Sequence, residues 1–339
     1  MSFLLVAKTC LQLMVLWSAV CLDDAPPHAS RPCTGLVGAL LGAGGLLLLW
    51  ACVQAFKKKD RAHAAGRAPE APRPPFAPRV ETTAWTAGAG LPAGLAALAT
   101  SEASLRGWNE DACGMFPRQG LFAVAGCIGA WGPDEPISVR AIATLREHFE
   151  TTPAGASRLA EGIHRAHQRL VEQVRVDQGR SGNAGSLAVL ALGPEGVQVS
   201  HVGECRVHRV RDGHLEPLTQ DHTFENEAAR FLPDIDPAQR EQYERFVREN
   251  KVLTRSLGMK SFGAKEGEAL DFDVQRFALR PGALYLLSTR GLHTVVPPDE
   301  LLDILRTTPE LETAARALVD RAFQRKGLAS ITCLLVRLE

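Results

Sequence analysis

The chain has 339 residues, which is room for one large domain or two small ones with appendages. Its 38 Lys and Arg residues balance 38 Asp and Glu residues, which excludes the basic surplus that general nucleic-acid binders rely on. Hydrophobic residues at 45% and charged residues at 22% exclude a wholly disordered chain, and eight cysteines without a CxxC pair exclude a zinc ribbon or a dense disulfide scaffold.

Taken in chain order, the first 60 residues differ from the rest. Residues 1–22 form an apolar segment interrupted by Lys8 and Gln12, read either as a transmembrane helix over 2–22 or as a signal peptide. Residues 23–33 form an external loop, in which Cys33 lies in the compartment where pairing with Cys21 is chemically allowed. Residues 34–56 run for 23 positions without a charge, long enough to cross the hydrocarbon core of a bilayer. Lys57, Lys58, Lys59 and Arg61 follow at once and mark that end as cytoplasmic. Gly38 and Gly42 form a GxxxG spacing that lets two helices approach, which points to a homodimer or to packing against the first helix.

Residues 57–95 form a basic, then Ala/Pro-rich linker, with Pro69, Pro72, Pro74, Pro75 and Pro78 in its middle. Within it, residues 81–100 read either as the end of the linker or as an edge strand. A globular domain is expected over 96–339. Gly120–Gly126 reads as a buried strand. Ile137–Thr151 and Ser157–Gln178 carry helical spacing, and in the second Leu159, Ile163, Ala166, Leu170 and Val174 share a face. Strand-like runs follow at Leu187–Leu192, Val197–Val202 and Arg206–Val210, with a D-G hairpin signal at Asp212-Gly213. Leu284–Ser288 and Ile331–Arg337 read as strands and Glu310–Gln324 as a helix. Strands joined by tight turns and helices grouped in pairs predict an antiparallel α+β domain.

Six segments in order then resemble the PPM-type, metal-dependent Ser/Thr protein phosphatases (type 2C). Arg106-Gly-Trp-Asn-Glu-Asp111 resembles R-x-x-N-E-D, and Leu121–Trp131 resembles F-x-V-x-D-G-M-G-G-H. Val199–Thr223 resembles the run H-V-G-D-S-R, R-x-G, L-T-x-D-H. Leu253–Gly258 resembles L-T-R-x-L-G, Leu286–Leu292 resembles L-x-x-S-D-G-L, and Ala329–Val336 resembles D-N-I-T-x-x-x-V. The resemblance implies an αββα sandwich: two antiparallel sheets face to face, flanked by helices. It also implies a pair of Mg²⁺ or Mn²⁺ ions held by carboxylates and one backbone carbonyl, because hard divalent cations take oxygen ligands.

At the positions the resemblance assigns to that site, Glu110 and Asp111 are retained. Gly126 stands where the family has its bridging Asp, and Cys127 stands at the carbonyl-donating Gly. Arg290 replaces the Asp of S-D-G, and Ala329 and Ser330 replace the Asp and Asn of D-N. The H-V-G-D-S-R motif reads Glu204-Cys205. An arginine keeps its charge, so Arg290 is expected either to take a metal's electrostatic place by pairing with Asp111 or Glu110, or to point to solvent. Arg106 matches the phosphate-binding arginine of the family. The departures imply no resident cofactor and a catalytically inactive, membrane-anchored module that binds a phosphoprotein partner or acts as a regulator. The expected location is a bacterial inner membrane, with the C-terminal domain cytoplasmic. Two alternatives stay open: a Ser/Thr phosphatase with a rearranged Mn or Mg site, and a membrane scaffold without phosphate recognition. A histidine metal site from His164, His167, His201, His208, His214 or His222 lacks ligand spacing.

Overall fold

The computed structural model describes residues 79–87, 91–100, 109–128, 136–176, 184–231, 241, 245, 253–261, 268–325 and 329–339. The chain divides into two compact units, Met1–Pro75 and Phe76–Glu339. The apolar segment 1–22, the span 34–56, the Gly38/Gly42 pair and the Cys21/Cys33 pair all lie outside the described residues. Among the described residues no helix is long and apolar enough to cross a membrane.

The second unit is built on two antiparallel sheets. One holds six strands in the order β1-β2-β11-β10-β7-β8, and the other holds five in the order β3-β4-β5-β6-β9. The six-stranded sheet comprises β1 (Arg79–Trp85), β2 (Gly94–Thr100), β7 (Arg206–Arg211), β8 (His214–Pro217), β10 (Leu284–Ser288) and β11 (Thr332–Leu338). The five-stranded sheet comprises β3 (Ala112–Phe116), β4 (Leu121–Ile128), β5 (Ala184–Gly193), β6 (Gly196–Val202) and β9 (Val274–Phe277). Helices α1 (Ile137–Thr151) and α2 (Arg158–Val176) cover the second sheet. A short α4 (Arg290–His293), α5 (Pro298–Thr307) and α6 (Leu311–Gln324) cover the first, and α3 (Phe224–Phe231) follows β8. The expected αββα sandwich is therefore the observed architecture.

The period-two pattern of the strands builds its layers. In β4, Leu121, Ala123 and Ala125 join the core under α1 and α2, while Phe122 and Val124 face the other sheet. In β5, Leu187 and Val189 take the first side, and Ala188 and Leu190 the second. The central layer is closed from the opposite sheet by Leu98, Tyr285, Leu287, Leu334 and Val336. The alternate residues Ala97, Ala99, Leu286, Cys333 and Leu335 pack under α4, α5 and α6 against Ala314, Ala315 and Leu318. Small side chains on both sides let α6 lie close on β2, which offsets the low aromatic content. Each fully buried Leu or Phe contributes about 1.5–3 kcal/mol of transfer free energy.

Two local features follow directly from residue type. Asp212 and Gly213 join β7 to β8 with φ of 50° and 77°, the left-handed pair that a two-residue hairpin needs. At the start of α6 the Glu310 carboxylate accepts from the backbone N–H groups of Glu312 and Thr313.

The N-terminal edge departs from the expected boundary at residue 96. β1 begins at Arg79 and pairs with β2 over seven registered positions, and β2 in turn pairs with β11. Of the two readings of residues 81–100, linker end or edge strand, the strand is the one observed. Its alanines look weakly patterned because β2 is covered on both faces, where a strand shows no polar alternation.

Candidate functional site

The retained carboxylates lie where the two sheets meet at one end of the sandwich. Asn109 and Glu110 lead into β3, and Asp111 directly precedes it. The Asn109 side-chain oxygen accepts from the backbone N–H of Asp111 at 3.0 Å, a local turn that fixes the carboxylate's direction. From the opposite sheet, Thr289 at the end of β10 donates its hydroxyl hydrogen to Asp111 Oδ2 at 2.6 Å. Thr289 occupies the N-cap of α4, yet its hydroxyl does not cap that helix. The Thr332 side chain is a second hydrogen-bond partner of Asp111.

The remaining contacts form a chain. Asn109 Nδ2 donates to Thr100 Oγ1 at 2.9 Å, and Thr100 Oγ1 lies 2.7 Å from Thr332 Oγ1. Either of these two hydroxyls can donate to the other. The Thr289 oxygen accepts from the backbone N–H of Thr332 at 3.1 Å, and the backbone N–H of Thr289 donates to the Thr332 carbonyl at 3.0 Å. Beside it, the backbone N–H of Glu110 donates to Ser330 Oγ at 2.9 Å, and Ser138 of α1 donates to the Glu110 carbonyl at 2.7 Å.

Desolvation dominates the electrostatics of Asp111. Although the residue is only partly covered, its carboxyl is ringed by protein, and burial pushes it up from 3.8 to about 6. The Thr289 and Thr332 hydroxyls pull the other way, and neighbouring Glu110 adds a smaller upward push. Burial also pushes the Cys127 thiol up to about 11, against the opposing hydrogen bonds to Ser138. Cys127 is therefore a thiol at neutral pH, and the site offers no thiolate nucleophile there.

The substituted positions are brought together as the motif alignment implies. Gly126 is buried on β4. A Cβ built on it would lie 3.3 Å from Asp111 Oδ1 and about 4 Å from Thr289. Ser330 faces Glu110, and Ala329 precedes it. Of the two expectations for Arg290, the solvent-facing one is observed: it pairs with neither Asp111 nor Glu110 but stands 3.9 Å from Glu204 Oε1, with its side chain 60% exposed. The physical reason is the turn at β10. Thr289 points down to Asp111, so the next residue points away, and a long guanidinium stem reaches water. Arg106 lies outside the described residues.

Among the described residues this donor set does not fit a pair of divalent cations. Asp111 Oδ2 is engaged by Thr289, Gly126 and Ala329 carry no oxygen on their side chains, and Arg290 adds a positive charge. Among the described residues, no group of three or more His, Cys, Asp or Glu is placed to hold a metal ion. The histidines serve elsewhere. His201 and His222 stack at 4.2 Å; His201 Nε2 lies 2.7 Å from the Gln220 carbonyl, and His222 Nδ1 accepts from the Gly203 N–H. They border a polar cavity of about 250 Å³ whose Arg255 is held by Glu227 and Asp271.

Sequence reasoning missed Thr289, Thr332, Thr100, Asn109 and Ser138 as site residues. Four of the five belong to the matched motifs or their flanks, but as neutral positions they drew no attention beside the carboxylates. Ser138 carries no motif signal.

No protein-family profile matches the chain. The serine/threonine phosphatase stp of Listeria welshimeri is 25% identical over 246 residues, which cover 70% of this chain and 93% of that protein. The crystal structure of the PPM Ser-Thr phosphatase MsPP from Mycobacterium smegmatis, in complex with cacodylate, superimposes with a TM-score of 0.58. It has 29% identity and covers 72% of this chain and 98% of that one. The catalytic domain of the phosphatase PstP, solved with two manganese ions, shares the fold with a TM-score of 0.55, 21% identity, and coverage of 76% and 98%. In fold, motif order and relatives, the described domain is similar to the PPM-type protein phosphatases.

Proposed function

We propose that this chain is a membrane-held PPM-type module that recognises a phosphorylated partner or regulates one, without hydrolysing phosphate. One observation carries the reading: around Asp111, the positions that hold carboxylates in the family are Gly126, Arg290 and Ala329. Two divalent cations need several carboxylates to offset their charge, and a permanent cation at the rim works against them.

The test is calorimetric titration of Mn²⁺ into the full chain, followed by hydrolysis of a chromogenic phosphate ester. The expected outcome is no saturable binding and no metal-dependent turnover. Two-site binding with Mn²⁺-dependent turnover overturns the reading. It would establish the second one, an active phosphatase with a rearranged site, which is favoured by relatives named as phosphatases.

Phosphate recognition rests on Arg106, since a guanidinium grips phosphate bidentately without a metal. Fluorescence anisotropy with a phosphothreonine peptide should show saturable binding that Arg106→Ala abolishes. Equal binding by the variant leaves scaffolding as the role. The charge-free run 34–56 with its Lys57–Lys59 stop supports membrane tethering. Deletion of residues 1–60 should release the protein from the membrane fraction of lysed cells; retention in that fraction overturns the tether.

A further inference from the structure

We infer that the threonine and serine hydroxyls at the site end are the fold's substitute for a metal pair: they clamp the two sheets together, so the recognition face is formed without any divalent ion. The inference rests on the metal-free reading above and deepens it.

The geometry is a set of crossings between layers. Thr289 ends β10 in the six-stranded sheet, and Asp111 opens β3 in the five-stranded sheet; the 2.6 Å bond between them spans the sandwich. Thr100 and Thr332, on neighbouring strands β2 and β11 of the first sheet, reach across to Asn109 and Asp111 of the second. Ser330, just ahead of β11, holds the Glu110 N–H, while Ser138 of α1 holds the Glu110 carbonyl from the other side. The acceptor Asp111 thus receives neutral donors from the opposite sheet, in the place where a cation shared between carboxylates would otherwise join the sheets.

The clamp is also internally consistent. Thr289, Thr332, Ser138 and Ser330 are each no more than 5% exposed, so every one of these hydroxyls requires a partner, and each has one. Asn109 donates to Thr100, Thr100 and Thr332 share a hydroxyl–hydroxyl bond, and Thr289 donates separately to Asp111. A hydroxyl that donates to a carboxylate is among the stronger hydrogen bonds. Gly126 completes the arrangement, because a side chain there would crowd Asp111 Oδ1.

The experiment is thermal melting of the full chain in EDTA and in Mn²⁺, for wild type, Thr289→Val, Thr289→Ser and Asp111→Asn, and for Thr289→Val combined with Asp111→Asn. Wild type should melt within about 1 °C in the two conditions, while Thr289→Val falls by ~4–8 °C and Thr289→Ser recovers most of that loss. In the Asp111→Asn background the same valine substitution should cost clearly less, since its acceptor has lost its charge. Wild-type melting for Thr289→Val, or additive effects in the double variant, overturns the clamp. If Thr289→Val does not fold, hydrogen exchange of the wild type decides. The Asp111 and Thr332 amides should be protected as long as those of β5, and rapid exchange at both sinks the inference. Failure of the clamp is distinct from failure of the function, because Mn²⁺-dependent turnover tests only the latter.

Discussion

Two aspartates at different corners of the same domain have kept their places for different reasons. Asp221 is gripped by Arg206 through two parallel bonds of 2.7 and 2.8 Å, and the strands around it are tied by the stacked His201 and His222 and by Gly203. Among the described residues Asp111 has no cation against it and is held by hydroxyls. The Asp221 corner preserves its motif almost residue for residue, whereas the Asp111 corner has lost most of the carboxylates around it. One corner is thus held by a charged pair and the other by neutral donors, so the same sandwich is tied at its two corners by different chemistry.

The sharpest way to break this comparison lies at a glycine packed on Ser330, beside the Asp111 corner. A Cβ on Gly291 would run into the backbone carbonyl oxygen of Ser330, which belongs to the clamp and cannot swing away. Gly291→Ala should cost at least ~3 kcal/mol and lower the melting temperature by ~6–12 °C. Unchanged melting would show that the site end is soft. Next comes Asp221→Asn, which leaves Arg206 with half its partner. Asp221 is largely covered but Arg206 is one-third exposed, so the expected cost is about 2–3 kcal/mol, below that of a fully buried pair.

The smallest effect is expected for Asp111→Asn, and its sign should differ. The folded Asp111 carboxyl titrates at about 6 against 3.8 for the ordinary group, so the folded state binds its proton more tightly. Its stabilising contribution is complete below 3.8 and is lost as pH rises through about 6. Above neutral pH, Asp111→Asn should therefore melt within about 1 kcal/mol of wild type or slightly higher, and it should fall behind as pH drops below 6. Melting curves across that interval check it. A large loss at neutral pH would mean that the carboxylate is paired with a cation after all.

The sandwich was largely legible in the sequence, because long two-sided strands and amphipathic helices announce themselves. Ile137–Thr151 coincides with α1, and the Asp212-Gly213 turn joins the strands it predicts. Motif order aligns Gly126, Arg290 and Ala329 with positions that carry carboxylates in the family the chain resembles, and Gly126 lies beside Asp111 in the structure. The direction of Arg290 was not, because it depends on a backbone turn that Thr289 sets from β10. Nor were the hydroxyl contacts, for Thr100 and Thr332 lie 232 residues apart and meet only through strand register. Residues 81–100 read equally as linker or strand for a third reason: buried on both faces, β2 lacks the alternation by which strands are recognised.

The register of β1 has a consequence for reach. Arg79 pairs with Thr100, and Thr100 pairs with Thr332, so the chain enters the domain two strands from the Asp111 cluster, ~10 Å at ordinary strand spacing. Whatever precedes Arg79 is therefore leashed to the same end of the sheet that carries the cluster. If the preceding residues are tethered as proposed, a partner confined to the same surface would meet this end at an effective concentration on the order of millimolar for a short connection. At that concentration even a weak grip is occupied, and proximity supplies selectivity that the pocket itself need not.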